Sequence, residues 1–356
     1  MRHILLLTLT TTLLFSNNFW TIDEYVEQNP QQKFLMKQFN EIVENSSVIN
    51  ENTQKNVQEK VKISILYPGN QLTDYWKRSQ SSFEARMKEL KLPYEIQAIF
   101  VDENDVNTLK EKLKEILNNN NDYLFFTLNI DGHKKLISQI IYQKKPKLIL
   151  QNITTPLKEW GENQPFMYVG FDHIEGTKLL ANYYKTKFPD GGKYIMLYHN
   201  QGYVSQMRGD SFINMFDENK YALEASFYTY VSKEIAKKIV LEHKDINEID
   251  FIYNCSTDIA FGASEALEEL KLLDKIIING WGGGSDELNM IENKKLDVTV
   301  MRMNDDNGVA MAEAIKLDLL KKPTPLIYSG KFEIVDTNTS KEHLKELKQK
   351  AFRYSN

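Results

Sequence analysis

The sequence predicts an α/β protein made of two doubly wound parallel-sheet lobes joined by a multi-strand hinge. Three observations lead there. The chain of 356 residues is longer than the roughly 100–200 residues of an ordinary domain. Short unbroken apolar runs alternate with amphipathic helical stretches, and this alternation runs through one series and then a second. Strands buried on both faces read as continuous apolar runs, and regular strand–helix alternation is the pattern of a parallel sheet covered by helices.

Taken in order, the chain opens with Met1, Arg2 and His3, an apolar and Thr-containing run from Ile4 to Phe15, and then Ser16, Asn17 and Asn18. That is the shape of a signal peptide, assigned to residues 1–18, with cleavage somewhere after Ser16. The run is shorter than the roughly 20 apolar residues of a membrane span, so export to the periplasm without membrane insertion after processing is expected. Residues 19–60 form an Asn-, Gln- and Glu-rich extension with one amphipathic helix carrying Tyr25, Phe34, Leu35, Phe39, Ile42 and Val43. The first series of strands follows at Lys62–Pro68, Tyr94–Val101, Asp122–Leu128 and Lys147–Ile153, with helices at Ser81–Leu90 and Val106–Leu117 between them.

The second series opens at Phe166–Phe171 and continues at Gly192–His199, Glu224–Val231, Ile249–Cys255 and Lys275–Trp281, with helices at Lys233–His243 and Phe261–Leu273. A late strand at Leu296–Arg302, a helix at Gly308–Leu320, a single strand at Tyr328–Val335 and a terminal helix from Lys341 complete the chain. Late elements of this kind recross between lobes. The expected division is 61–170 plus 303–328 for the N-terminal lobe, and 171–302 plus 329–356 for the C-terminal lobe. The one cysteine, Cys255, cannot form an internal disulfide and is expected to pack as a small hydrophobe.

Open parallel sheets bind ligands outside the carboxyl ends of their strands. The residues there are Gln71, Thr73, Asp74 and Trp76; Asn152 and Thr154; Arg208 and Asp210; Thr257 and Asp258; Trp281; and Arg302. Indole rings beside amide, carboxylate and guanidinium groups suit a small polyhydroxylated ring, whose apolar face meets the indole while its hydroxyls meet the forked donors and acceptors. The alternative is that the tryptophans fill the cores and the polar residues cap helices. Arg208 and Arg302, converging on one cleft from opposite sides, call for an anionic partner. Otherwise Arg208 pairs with Asp210, and Arg302 with Asp305 or Asp306.

Other classes are disfavoured. With 44 basic against 49 acidic side chains the net charge is -5, so no general positive field exists to hold nucleic acid. The six histidines form no HExxH or paired-ligand pattern. In the run Gly280, Gly282, Gly283 and Gly284, Ser285 stands where a dinucleotide motif needs its third glycine. Asp305 and Asp306 precede a helix whose N-terminus favours acidic residues. No catalytic residue, metal or cofactor is assigned.

The segments YPGNQLTDYW (67–76), LILQNITTP (148–156), YVGFDHIEG (168–176), MRGDSFI (207–213), CSTD (255–258), INGWGGGS (278–285), VMRMNDD (300–306) and AFRYS (351–355) closely resemble the LuxP family of periplasmic autoinducer-2 receptors. That family lies within the ribose-binding-protein-like superfamily of type I periplasmic binding proteins. The resemblance implies a receptor that closes on a furanosyl borate diester, with boron as part of the ligand, and reports to a membrane sensor kinase of the LuxQ type. Carried over by position, the contacts are Gln71, Thr73, Trp76, Asn152, Arg208, Thr257, Trp281 and Arg302. Thr73 departs from the family's serine; the hydroxyl is kept and a methyl added. The nearest rival is a pentose or hexose receptor of an importer. A sugar-responsive repressor would need a DNA-binding headpiece where this chain has its leader, and a sugar-processing enzyme is the third alternative.

Overall fold

The computed structural model describes residues 18–46, 59–129 and 131–355. The signal peptide expected at residues 1–18, Asn18 apart, and residues 47–58 of the extension lie outside them. Among the described residues twelve strands form: β1 Val61–Pro68, β2 Tyr94–Val101, β3 Tyr123–Thr127, β4 Lys147–Gln151, β5 Met167–Phe171, β6 Gly192–Tyr198, β7 Tyr221–Tyr228, β8 Phe251–Asn254, β9 Ile277–Ile278, β10 Val298–Arg302, β11 Ile327–Gly330 and β12 Phe332–Asp336.

The first sheet has the order β2-β1-β3-β4-β5-β11 and is parallel throughout. The second has the order β7-β6-β8-β9, also parallel. Single bridges from Asn279 to Val298 and from Gly282 to Met301 bring β10 alongside the continuation of β9. β12 then pairs antiparallel with β10, Arg302 opposite Phe332. The α/β class read from the sequence is the class of the molecule.

Three elements differ from their sequence reading. The run at 166–171 does not open the second series: as β5 it closes the first, between β4 and β11. A fully apolar run carries no label for its partners, so pairing decides what periodicity cannot. The single strand expected at 328–335 is two. The chain leaves the first sheet at Gly330 and enters the second at Phe332, which makes Lys331 one of the crossings between them. The other crossings follow β5 and β10. Helix His173–Lys187 buries Leu180, Ala181 and Tyr184 in the second core, and helix Asp305–Leu319 returns Val309, Met311 and Ile315 to the first.

The N-terminal extension holds two helices, Ile22–Gln28 and Pro30–Glu44, in place of one. Pro30 has no N–H to continue the first ladder, and Asn29 before it lies outside helical geometry at φ -130 and ψ 67. Phe39 and Val43 of the second helix are built into the first core. Cys255 is fully buried in the second core. At the other end, helix Lys341–Ala351 packs Leu344, Leu347 and Ala351 into the second core, and the tail then crosses back. There Asp305 accepts the backbone N–H groups of Tyr354 (2.7 Å) and Ser355 (2.8 Å), while Asp306 pairs with Arg353 at 2.7 Å. The two aspartates therefore serve as anchors for the C-terminus; they are not a mere acidic cap. Among the described residues no helix is long and apolar enough to cross a membrane.

Candidate functional site

The carboxyl ends of both sheets face one small cavity, with about 350 Å³ of space between its walls that includes open solvent. Nine of the twelve strand-end residues singled out in the sequence line it: Gln71, Thr73, Trp76 and Asn152 from the first lobe, and Arg208, Thr257, Asp258, Trp281 and Arg302 from the second; Asp74 does not, and holds Arg78 Nε at 2.5 Å. Tyr75, Asn129, His199, Val204 and Ser256 complete the wall. Of these, Asn129 and His199 obey the same strand-end rule, following β3 and β6; Tyr75 and Ser256 adjoin residues already named. Thr154 and Asp210 are not among the lining residues: Asp210 instead accepts the Tyr198 hydroxyl at 2.6 Å.

Local sequence explains each placement. Helix Tyr75–Glu89 starts at the cavity, so its first turn presents Tyr75 and Trp76. The Trp76 indole N–H donates to Gln71 Oε1 at 2.8 Å, fixing which way the amide points. Asn152 sits in the left-handed region at φ 67, which asparagine tolerates better than most residues. Its Nδ2 donates to Asn129 Oδ1 at 3.1 Å. Thr257 and Asp258 open helix Thr257–Leu270. Asp258 Oδ1 accepts the Leu72 N–H at 2.8 Å, a contact between the two lobes. A second such contact runs from Arg78 Nη2 to Ser285 Oγ at 2.8 Å.

The glycine run earns its place by close approach. A Cβ on Gly283, at φ +64, would stand 2.5 Å from Met301 Cα. Without side chains the loop lies flat against β10, which sets Trp281 beside Arg302. The buried Glu287 carboxylate holds the loop down, accepting from Trp281 N (2.9 Å), Gly283 N (2.8 Å) and Thr299 Oγ1 (2.6 Å). Trp281 is 1% exposed and Trp76 3%, and both belong to the cores as well as to the cavity wall. One face of Trp281 is covered by the Arg208 guanidinium, whose carbon lies 3.8 Å from the ring centre.

The two arginines decide the electrostatics. Arg302 ends β10 and Arg208 lies in the helical turn after β6, so both come from the second lobe and not from opposite sides of the cleft; Arg302 reaches across to stack on Tyr75 of the first lobe at 4.5 Å. Neither takes the aspartate partner considered for it. Among the described residues no carboxylate lies within ion-pair distance of Arg208 or Arg302. Asp210, Asp305 and Asp306 are engaged elsewhere.

Arg208 Nη1 donates to the Cys255 carbonyl at 2.8 Å, and its Nη2 lies 3.3 Å from His173 Nε2. That same nitrogen lies 3.2 Å from Asn152 Oδ1. One ring nitrogen cannot donate to the asparagine and accept from the arginine in a single tautomer, so bonding capacity is left over. The Nε of both arginines is buried without a partner. Burial first, and Arg302 second, lowers the Arg208 pKa to about 9; burial lowers that of Arg302 as well. Burial and the two arginines hold His173 neutral, its pKa well below the usual histidine value. The result is a small pocket with excess cationic charge, amide and hydroxyl groups, and aromatic walls.

A family model for the periplasmic binding protein domain matches residues 63–323. The chain belongs to the periplasmic binding protein family. It is therefore an extracytoplasmic binding protein and not an enzyme. Solved members of the same architecture are distant in sequence and alike in fold. A solute-binding protein of Actinobacillus succinogenes 130z, with bound D-allose, is 19% identical with a TM-score of 0.68, over 81% of this chain and 100% of its own. One from Bacillus halodurans C-125, with bound myo-inositol, is 17% identical with a TM-score of 0.68, over 83% and 99%. The fructose-binding periplasmic domain of a hybrid two-component system is 19% identical with a TM-score of 0.69, over 82% and 97%. In this periplasmic binding protein the cavity lies where the strand ends of the two sheets meet, between the crossings that join them.

Proposed function

We propose that this chain is an exported receptor that closes its lobes on a small polyhydroxylated, sugar-like ligand bearing a negative charge. The ligand that fits best is the furanosyl borate diester form of autoinducer-2, and the closed shape is read by a membrane sensor kinase of the LuxQ type. One observation carries the choice of an anion: Arg208 and Arg302 are buried side by side over Trp281, and among the described residues no carboxylate lies within ion-pair distance of either. Burying two unpaired cations is costly, and a tetrahedral borate shared through charge-assisted bonds offsets that cost. Gln71, Thr73, Asn152, Thr257 and Asp258 supply the donors and acceptors for ring hydroxyls.

A second reading, a pentose or hexose receptor of an importer, is favoured by the solved relatives, which are named for allose, myo-inositol and fructose. The two differ in one element. Small molecules released by denaturing the purified protein should contain boron in about equal amount to protein. A neutral aldose without boron would sink the borate reading and leave the importer receptor as the better account.

A further inference from the structure

Glu103 follows β2 and belongs to none of the groups assigned above, yet it is 1% exposed and lies behind the cavity wall. Its carboxylate has partners on both sides of the cleft. From its own lobe Asn129 Nδ2 donates to Oε2 at 2.7 Å, and Gln71 adds a further hydrogen bond. From the opposite lobe Asn200 Nδ2 donates to Oε1 at 3.2 Å, with His199 Nε2 at 3.5 Å. Asn129 in turn uses Oδ1 to receive Asn152 and Thr127. We propose that Glu103 is the positioning residue of the cleft: one carboxylate that sets the amides of Asn129 and Gln71 in the first lobe and receives His199 and Asn200 from the second, so that closing on a ligand passes through it. This rests on the reading of the cavity as a cleft that closes.

The surroundings of Glu103 make closure depend on protons. The groups facing it are Asn129, Gln71, Asn200 and His199, with His133 bonded to its backbone carbonyl at 3.3 Å, and Asp102 and Asp258 near enough to disfavour its charge. His199 is held neutral, its pKa lowered to about 3 by burial and by Arg208. Among the described residues no lysine or arginine pairs with Glu103. Burial in this structure, where the lobes touch through Asp258, Arg78 and Glu103, pushes its carboxyl up to about 7. In an open cleft, exposed to water, it returns toward the ordinary value near 4.5. Closure then takes up a proton between those two values, and the closed form gains as pH falls through 7 and loses as pH rises through it.

The test needs no ligand. Fluorescent labels on Lys112→Cys and Lys238→Cys, one exposed site on each lobe, report the closed-to-open ratio by energy transfer; Cys255 is fully buried and stays unlabelled. After extensive dialysis, the ratio in an otherwise wild-type protein should rise at least about thirtyfold from pH 8 to pH 5.5, given a carboxyl moving from about 4.5 to about 7. Glu103→Gln should erase the limb near pH 7, leaving only the weaker one expected from Asp258, whose carboxyl is pushed up to about 6. Asn200 Oδ1 has no partner and can receive the new amide, so Glu103→Gln should melt close to wild type. Glu103→Asp, the second variant, should keep a titrating limb. A ratio that does not change with pH in the wild type, or a Glu103→Gln protein that keeps the limb near 7, overturns the assignment. Failure of the borate reading would appear in the boron content and leave this ligand-free measurement untouched.

Discussion

Arg208 keeps its charge where burial works against it: at a pKa of about 9 it is still protonated near neutrality, with a carbonyl, a neutral imidazole and an indole face around it. Replacing it by Met retains most of the volume and removes the charge. Loss of one charge-assisted contact should weaken binding of a borate ligand by about 1.5–3 kcal/mol, roughly ten- to a hundredfold, and the same holds for Arg302→Met. The ligand-free protein should melt no lower in either variant, because an unpaired buried cation has been taken away. Calorimetry and thermal melts read the two quantities separately; a large drop in melting temperature with unchanged affinity would make these arginines structural. Trp281→Ala is a different case. The ring is part of the second core, so about 3–5 kcal/mol of stability should go with it. At this scale the sequence was most legible, since strand ends are where such sheets bind and nine of the twelve residues named there line the cavity. Glu103, His173 and Glu287 were not legible, because their roles depend on which strand ends meet across the cleft.

Among the elements, the loop from Asn279 to Gly284 depends most on its sequence. It can lie against β10 only while Gly283 has no side chain, and Glu287 gathers its N–H groups from below. Gly283→Ala should cost about 1–3 kcal/mol in backbone strain, with further loss from the clash at Met301, and should weaken ligand binding by displacing Trp281. Denaturant titration and calorimetry check this; an alanine variant with native stability and affinity would show that the loop's close approach is not required. The strand–helix alternation was readable because apolar runs and amphipathic stretches have different periods. What periodicity could not give was partnership. β5 reads like a strand of either sheet, and 328–335 reads as one strand, although Lys331 divides it between two.

For the molecule as a whole, the C-terminal segment ties the lobes together. Arg353 bonds the backbone carbonyl of Val43 in the extension at 2.8 Å and pairs with Asp306, while Ser355 bonds Asp305 and Arg78. Burial already pushes the Asp306 carboxyl up to about 6 against the pull of Arg353. Removing residues 353–356 takes that pull away, so its pKa should rise further. A carboxyl with a raised native pKa contributes stability at low pH that is lost as pH rises through that value. The truncated protein should therefore melt below the full chain, and by more at pH 8 than at pH 5; an equal deficit at both would mean that the tail acts through contact alone. The central claim is that the closed cleft is built for an anion. Calorimetric titration of the full chain with autoinducer-2 in rigorously boron-free buffer, and again with borate added, tests it most directly. Binding should be at least tenfold tighter with borate, and Arg208→Met and Arg302→Met should each lose most of that gain. Equal affinity in both buffers, matched by both variants, would contradict it.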